Sequence, residues 1–117
     1  MTGRDRPADA PAPHAPGAAP APVPGEVEEY LTHLAKERDV SPNTVKAYRR
    51  DLHDFTEFLA GYYGGGAWGW QGVDRLAMRG FLAHLTRRGL ARRSVARTLS
   101  AVRGFYRFLA LNEIVSS

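Results

Sequence analysis

Ser41-Pro42-Asn43-Thr44-Val45-Lys46-Ala47-Tyr48-Arg49-Arg50-Asp51-Leu52-His53-Asp54-Phe55-Thr56-Glu57-Phe58-Leu59-Ala60 is the stretch on which the fold turns. Val45, Tyr48, Leu52, Phe55 and Leu59 recur at alternating spacings of three and four. That spacing places them on one side of an α-helix as a buried stripe. Ser41 can accept a hydrogen bond from the free amides of a helix start, and Pro42 fits a first helical position that needs no donor. The helix is expected to end near Ala60-Gly61.

Working outward, a helix is expected on the N-terminal side from about Glu26 to Arg38. Val27, Tyr30, Leu31 and Leu34 share a face, and Glu26, Glu28 and Glu29 lie in the first turn, where the helix dipole favours negative charge. Residues 1 to 25 hold seven of the eight prolines, and their bulky apolar side chains are Met1 and Val23. Proline fixes its own backbone and lacks a donor, and so little apolar surface does not offset the entropy of ordering. A disordered Pro/Ala-rich tail is expected there.

On the other side, Gly61 is followed by five more glycines up to Gly72, together with Trp68 and Trp70. A loop is expected, with the tryptophans folded back onto the core. A third helix starts at Asp74 as cap, with Val73 as a hydrophobic staple, and buries Met78, Phe81, Leu82 and Leu85. Gly80 weakens it by about 1 kcal/mol relative to alanine and permits a close crossing. Gly89 is expected as its left-handed stop. The last helix runs from about Arg92 to Asn112, with Val95, Leu99, Val102, Tyr106 and Leu109 as its stripe. Nothing alternates with period two over a strand length. The expected fold is all-α, a compact four-helix bundle over residues 26 to 115.

The chain has 117 residues and no cysteine, which excludes disulfides and thiolate metal sites and fits a reducing cytoplasm. No run approaches the roughly 18 apolar residues that span a bilayer, and the proline-broken N-terminus has no signal-peptide core. The net charge is +4. Residues 26 to 60 carry five basic and eight acidic groups, whereas residues 61 to 117 carry nine arginines against Asp74 and Glu113. Two readings fit so basic a half, a polyanionic partner or a solvated face.

The outer helix faces bear on that choice. At 100° per residue, Arg93, Arg97, Ser100, Arg103 and Arg107 cluster opposite Leu99 and Val102. No acid sits among them, so pairing within the helix does not explain the row. Guanidiniums and a hydroxyl along one face suit phosphates and guanine edges. On the second helix Asn43, Lys46, Arg50 and His53 fall together, followed by Glu57. Asp51, Asp54 and Glu57 could neutralise these cations within the helix, and Arg49 lies nearer the stripe, placed to pair with a carboxylate. His14, His33, His53 and His84 are scattered, which argues against a zinc site. Gly64-Gly65-Gly66 lacks the lysine of a phosphate-binding loop. No nucleophile and base stand out, so no catalytic residue and no cofactor is expected.

The stretch from Ser41 to Leu52, with Phe55 and Phe58-Leu59, resembles the second helix of the Xer-type tyrosine recombinases. Gly89-Leu90-Ala91-Arg92-Arg93-Ser94-Val95-Ala96-Arg97, followed by Leu99-Ser100-Ala101-Val102-Arg103-Gly104-Phe105-Tyr106-Arg107-Phe108-Leu109, resembles their fourth. Together the two blocks keep the family's order and spacing over about Val27 to Val115. Ala91 departs from the usual serine or threonine, which implies a weaker cap.

The resemblance implies a core-binding domain that clamps double-stranded DNA with its second and fourth helices in the major groove. It implies recombination and integration of DNA through a tyrosine-phosphate intermediate, chromosome dimer resolution before cell division, and four subunits on two sites. The catalytic arginines and the nucleophilic tyrosine are then expected beyond Ser117. Tyr30, Tyr48 and Tyr106 read as core and Tyr62 and Tyr63 as loop. The candidate DNA contacts are Asn43, Thr44, Lys46, Arg50, His53, Arg92, Arg93, Arg97, Ser100, Arg103 and Arg107. The alternative is a helical protein-interaction module with an acidic partner.

Overall fold

The computed structural model describes residues 25–115. Of the tail expected over residues 1–25, residues 1–24 lie outside the described residues, and Gly25 is the first residue of a helix. Four helices follow in order: α1 (Gly25–Lys36), α2 (Pro42–Tyr62), α3 (Arg75–Arg87) and α4 (Arg92–Leu111). A single 3₁₀ turn (Trp70–Gly72) lies between α2 and α3, and no strand occurs among the described residues.

The boundaries follow from local chemistry. The Ser41 hydroxyl accepts the Thr44 amide at 3.3 Å, and Pro42 takes the first turn of α2. Asp74 accepts the Ala77 amide at 2.9 Å at the start of α3. Gly89, at φ +76°, stops the chain after α3 in a left-handed turn that costs glycine nothing. α1 ends two residues earlier than expected, with Asp39 left-handed at φ 53°; the short polar side chain of aspartate tolerates that region.

The core is one cluster to which every helix contributes, with Leu31, Leu52, Phe55, Leu59, Phe81, Leu85, Phe105 and Leu109 at its centre. The glycine-rich loop folds inward as expected: Trp68 and Trp70 are buried, and the Trp70 ring meets Phe105 edge-on at 4.9 Å. Its indole donates to Glu26 at 2.9 Å, and its carbonyl accepts the Tyr106 hydroxyl at 2.7 Å. An apolar face around a satisfied indole is how a tryptophan closes a loop on a core.

Two expectations are corrected. Leu82 is 42% exposed, because α3 buries the narrower arc of Ala77, Phe81 and Leu85. On α4 the fully buried positions are Thr98, Ala101, Val102, Phe105 and Leu109, a stripe rotated by less than one residue from the expected one. Val95, Leu99 and Tyr106 are only partly buried. The cause is that α4 packs against three helices, not one. Its Phe105 side faces the core, while Leu99 and Tyr106 line a groove of about 360 Å³ with Val73 and Met78. Thr98 is tolerated inside because its hydroxyl donates to the Ser94 carbonyl at 2.9 Å.

Two glycines mark close approaches. A Cβ at Gly80 would press on Phe58 of α2 at 3.2 Å, which is the close crossing expected there. A Cβ at Gly104 would overlap the Tyr30 hydroxyl outright, so α1 and α4 meet through it.

Candidate nucleic-acid interface

α2 and α4 form the most extensive helix pair of the bundle. Each turns its apolar arc inward and leaves a polar arc outside. On α4 that outer arc holds Arg92, Arg93, Ser100, Arg103 and Arg107, all exposed. None of the four arginines has an ion-pair partner among the described residues. On α2 the outer arc holds Asn43, Lys46, Arg50 and His53, also exposed, and Lys46 and Arg50 are likewise unpaired among the described residues. His53 lies 3.5 Å from Glu57 one turn on. Thr44 is half-buried, and its hydroxyl oxygen accepts from Ser41 at 3.0 Å, which makes it part of the cap.

Arg97 stands apart from the rest of the candidate set. Its Nε and Nη2 donate to the two carboxylate oxygens of Asp51 at 2.8 and 2.9 Å. The fork matches the carboxylate edge to edge, the strongest geometry open to an arginine. Asp51 is 4% exposed, so this bridge is closed on the α2 side and open on the α4 side. The hydrogen bonds it donates to Asp51 raise the Arg97 guanidinium above the ordinary arginine range.

Two further bridges tie the other acids across helices. Arg49 donates twice to Glu28 of α1, at 3.2 and 2.8 Å, which holds the Glu28 carboxyl below its usual range. Arg88, at the end of α3, donates to Asp54 at 2.9 Å. Arg49 therefore does pair with a carboxylate. Asp51 and Asp54, by contrast, neutralise arginines of other helices and not Lys46 or Arg50 on their own.

Sequence reasoning missed Asp51 as a structural residue. A signal was present: on the helix wheel Asp51 falls between Phe55 and Phe58, at the edge of the apolar arc. A charged group in that position requires a partner from a neighbouring element. Among the described residues no cluster of His, Cys, Asp or Glu could hold a metal ion. No helix there is long and apolar enough to cross a membrane.

Residues 27–113 match the family described as phage integrase, N-terminal SAM-like domain. The chain belongs to that family. It is 42% identical over 90 residues to the tyrosine recombinase XerC of Roseiflexus castenholzii, covering 77% of this chain and 28% of the relative. It is 48% identical over 84 residues to the tyrosine recombinase XerD of Bradyrhizobium diazoefficiens, covering 72% of this chain and 25% of the relative. A XerC of Pseudomonas savastanoi is 43% identical over 83 residues, 71% of this chain and 27% of its own length. The chain thus spans about a quarter of the length of the tyrosine recombinases it matches. No solved structure matches it. The resemblance to Xer-type recombinases is therefore borne out, and so is the all-helical fold.

Proposed function

We propose that residues 26 to 115 form the DNA-binding module of a site-specific tyrosine recombinase, clamping double-stranded DNA with the outer faces of α2 and α4. The observation that carries this reading is the row Arg92, Arg93, Arg103 and Arg107 around Ser100, exposed and without acids. Arginine forks and a hydroxyl along one helix are suited to phosphate oxygens, and Arg93 to a guanine edge. Lys46, Arg50, Asn43 and His53 extend the same surface onto α2. Membership of a recombinase N-terminal family supports the assignment from a second direction.

On this reading the module positions and does not cut. Strand exchange belongs to a catalytic domain, and Tyr30, Tyr48 and Tyr106, buried or half-buried in the bundle, are not its nucleophile. No cofactor is needed for a charge-based clamp. The full recombinase would act in the cytoplasm on chromosomal DNA, with other recombinase subunits as partners, in integration or in chromosome partition at cell division.

The test is fluorescence anisotropy of a labelled duplex of about 30 base pairs across a salt series, where each neutralised phosphate adds about 0.9 to the slope of log affinity on log salt. Affinity falling steeply with salt is the expected result. No binding at low salt, with the helices intact by circular dichroism, would overturn the DNA reading and leave the arginine face to an acidic protein partner.

A further inference from the structure

Arg97 is the one member of the α4 arginine row whose hydrogen-bonding edge is already occupied. Its Nε and Nη2 are held by Asp51 at 2.8 and 2.9 Å, and those two donors are the ones a guanidinium would present side-on to a phosphate or a guanine. Its carboxylate partner is 4% exposed, so releasing Arg97 to DNA would strand a charge inside the bundle. The other two interhelical bridges differ. Glu28–Arg49 and Asp54–Arg88 join side chains that are each 39% exposed or more, and water can replace either partner at little cost.

The place of the bridge in the fold gives it a second property. Asp51 follows Arg50 directly, and Arg97 lies one helical turn from both Arg93 and Ser100. The planar fork fixes the rotation of α4 about its axis relative to α2. A turn of α4 by one residue, 100°, would carry Arg93, Ser100 and Arg103 out of line with Lys46 and Arg50. Buried ion pairs add little net stability but can fix one arrangement among several.

We propose that Arg97 is a positioning residue, locked by Asp51, which aligns the cationic faces of α2 and α4 into one DNA-facing surface. This rests on the DNA-binding reading given above.

Binding of the chain to the same duplex is measured at a temperature where far-ultraviolet circular dichroism shows every variant fully helical. Asp51→Asn removes a negative charge, so a purely electrostatic account predicts tighter binding. Positioning predicts weaker binding, by roughly two- to a hundredfold, the range of coupling within one ion-pair network. Arg97→Lys keeps the charge and loses the fork. Positioning predicts a similar loss, while a phosphate contact predicts near-normal affinity.

Tighter binding by Asp51→Asn, or normal binding by Arg97→Lys, overturns the positioning role while the wild-type affinity upholds the DNA reading. Unchanged affinity with a lowered melting temperature also overturns it, since the pair then serves stability alone. If Asp51→Asn does not fold, Arg97→Lys decides the matter, because its side chain is 39% exposed and carries less folding risk. Absence of wild-type binding overturns both proposals together.

Discussion

α2 and α4 are near-equals in length, 21 and 20 residues, and both turn an apolar arc inward and a cationic arc outward. They differ in their acids. α2 carries Asp51, Asp54 and Glu57, and α4 carries none. Counted along the helix, that difference makes α2 a neutralised surface and α4 a free one. Counted in space, Asp51 and Asp54 leave their own helix to bind Arg97 and Arg88, so Lys46 and Arg50 stay free and Arg97 does not. The charge of a helix face is decided by neighbouring elements as much as by its own sequence.

The comparison can be broken most directly by stripping each face in turn. The triple variant Arg93→Ala, Arg103→Ala and Arg107→Ala should bind duplex DNA about a hundredfold or more weakly, if each lost charged contact is worth on the order of 1 kcal/mol. Lys46→Ala with Arg50→Ala should cost about thirtyfold by the same reasoning. All five side chains are exposed, so the helices should remain intact. Anisotropy titrations at one salt concentration check both. A larger loss from the α2 pair would reverse the ranking and make α2 the leading contact.

Glycines sharpen the comparison next, because each helix has one and they should respond with opposite sign. Gly104→Ala on α4 drives a methyl into the Tyr30 hydroxyl, and Tyr30 is 5% exposed and ring-packed on Phe105 and Phe108 at 5.8 and 5.4 Å. Overpacking of that kind costs about 1–3 kcal/mol. Gly61→Ala on α2 meets nothing within 4 Å. It should stabilise by about 0.5–1 kcal/mol through helix propensity and a less flexible unfolded chain. Urea midpoints moving in opposite directions are the expected result. A neutral Gly104→Ala would mean that Tyr30 can swing aside.

The helix starts give a third contrast. Ser41 and Ala91 have the same backbone, φ −62° and ψ 150° against φ −63° and ψ 152°, yet only Ser41 offers an oxygen to the free amides. Ser41→Ala should destabilise by about 1 kcal/mol, and Ala91→Ser should stabilise by about as much. Thermal melts of the two variants and their combination check this. The combined variant should melt close to wild type, because the sites lie on separate helix ends and their effects should add.

What could be read from the sequence was what is local. The Ser41 and Asp74 caps, the Gly89 stop, the inward tryptophans and the four helices depend on neighbouring residues and on a period of 3.6, and all are found, with α1 ending two residues early. What could not be read depends on who packs against whom. The α4 stripe was displaced toward Phe105 because aliphatic spacing alone does not say that α4 lies among three partners. Leu82 was counted inside because the width of the α3 groove is a tertiary property. The candidate site was legible as two cationic faces. The assignment of Arg97 to Asp51 was not, since it joins residues 46 positions apart.

The smallest effect separates an exposed bridge from a buried one. Glu28 donates no hydrogen bond of its own; its carboxylate accepts two from Arg49, and this lowers its folded-state pKa below the ordinary 4.5. The contribution is therefore present above that ordinary value and is lost as pH falls through the depressed one. Both side chains are more than half exposed, at 54% and 51%, so screening limits the pair to about 0.5 kcal/mol or less. Glu28→Gln should thus be slightly less stable than wild type at pH 7 and indistinguishable from it once the wild-type carboxyl is protonated. About 0.5 M salt at pH 7 should erase the same difference, because the Debye length then falls to a few ångströms. Asp51→Asn should keep its effect on stability in that salt, because the Asp51 carboxylate is closed off from the ions. If both differences vanish together, the two bridges are equally wet, and the distinction between a surface pair and a positioning pair fails.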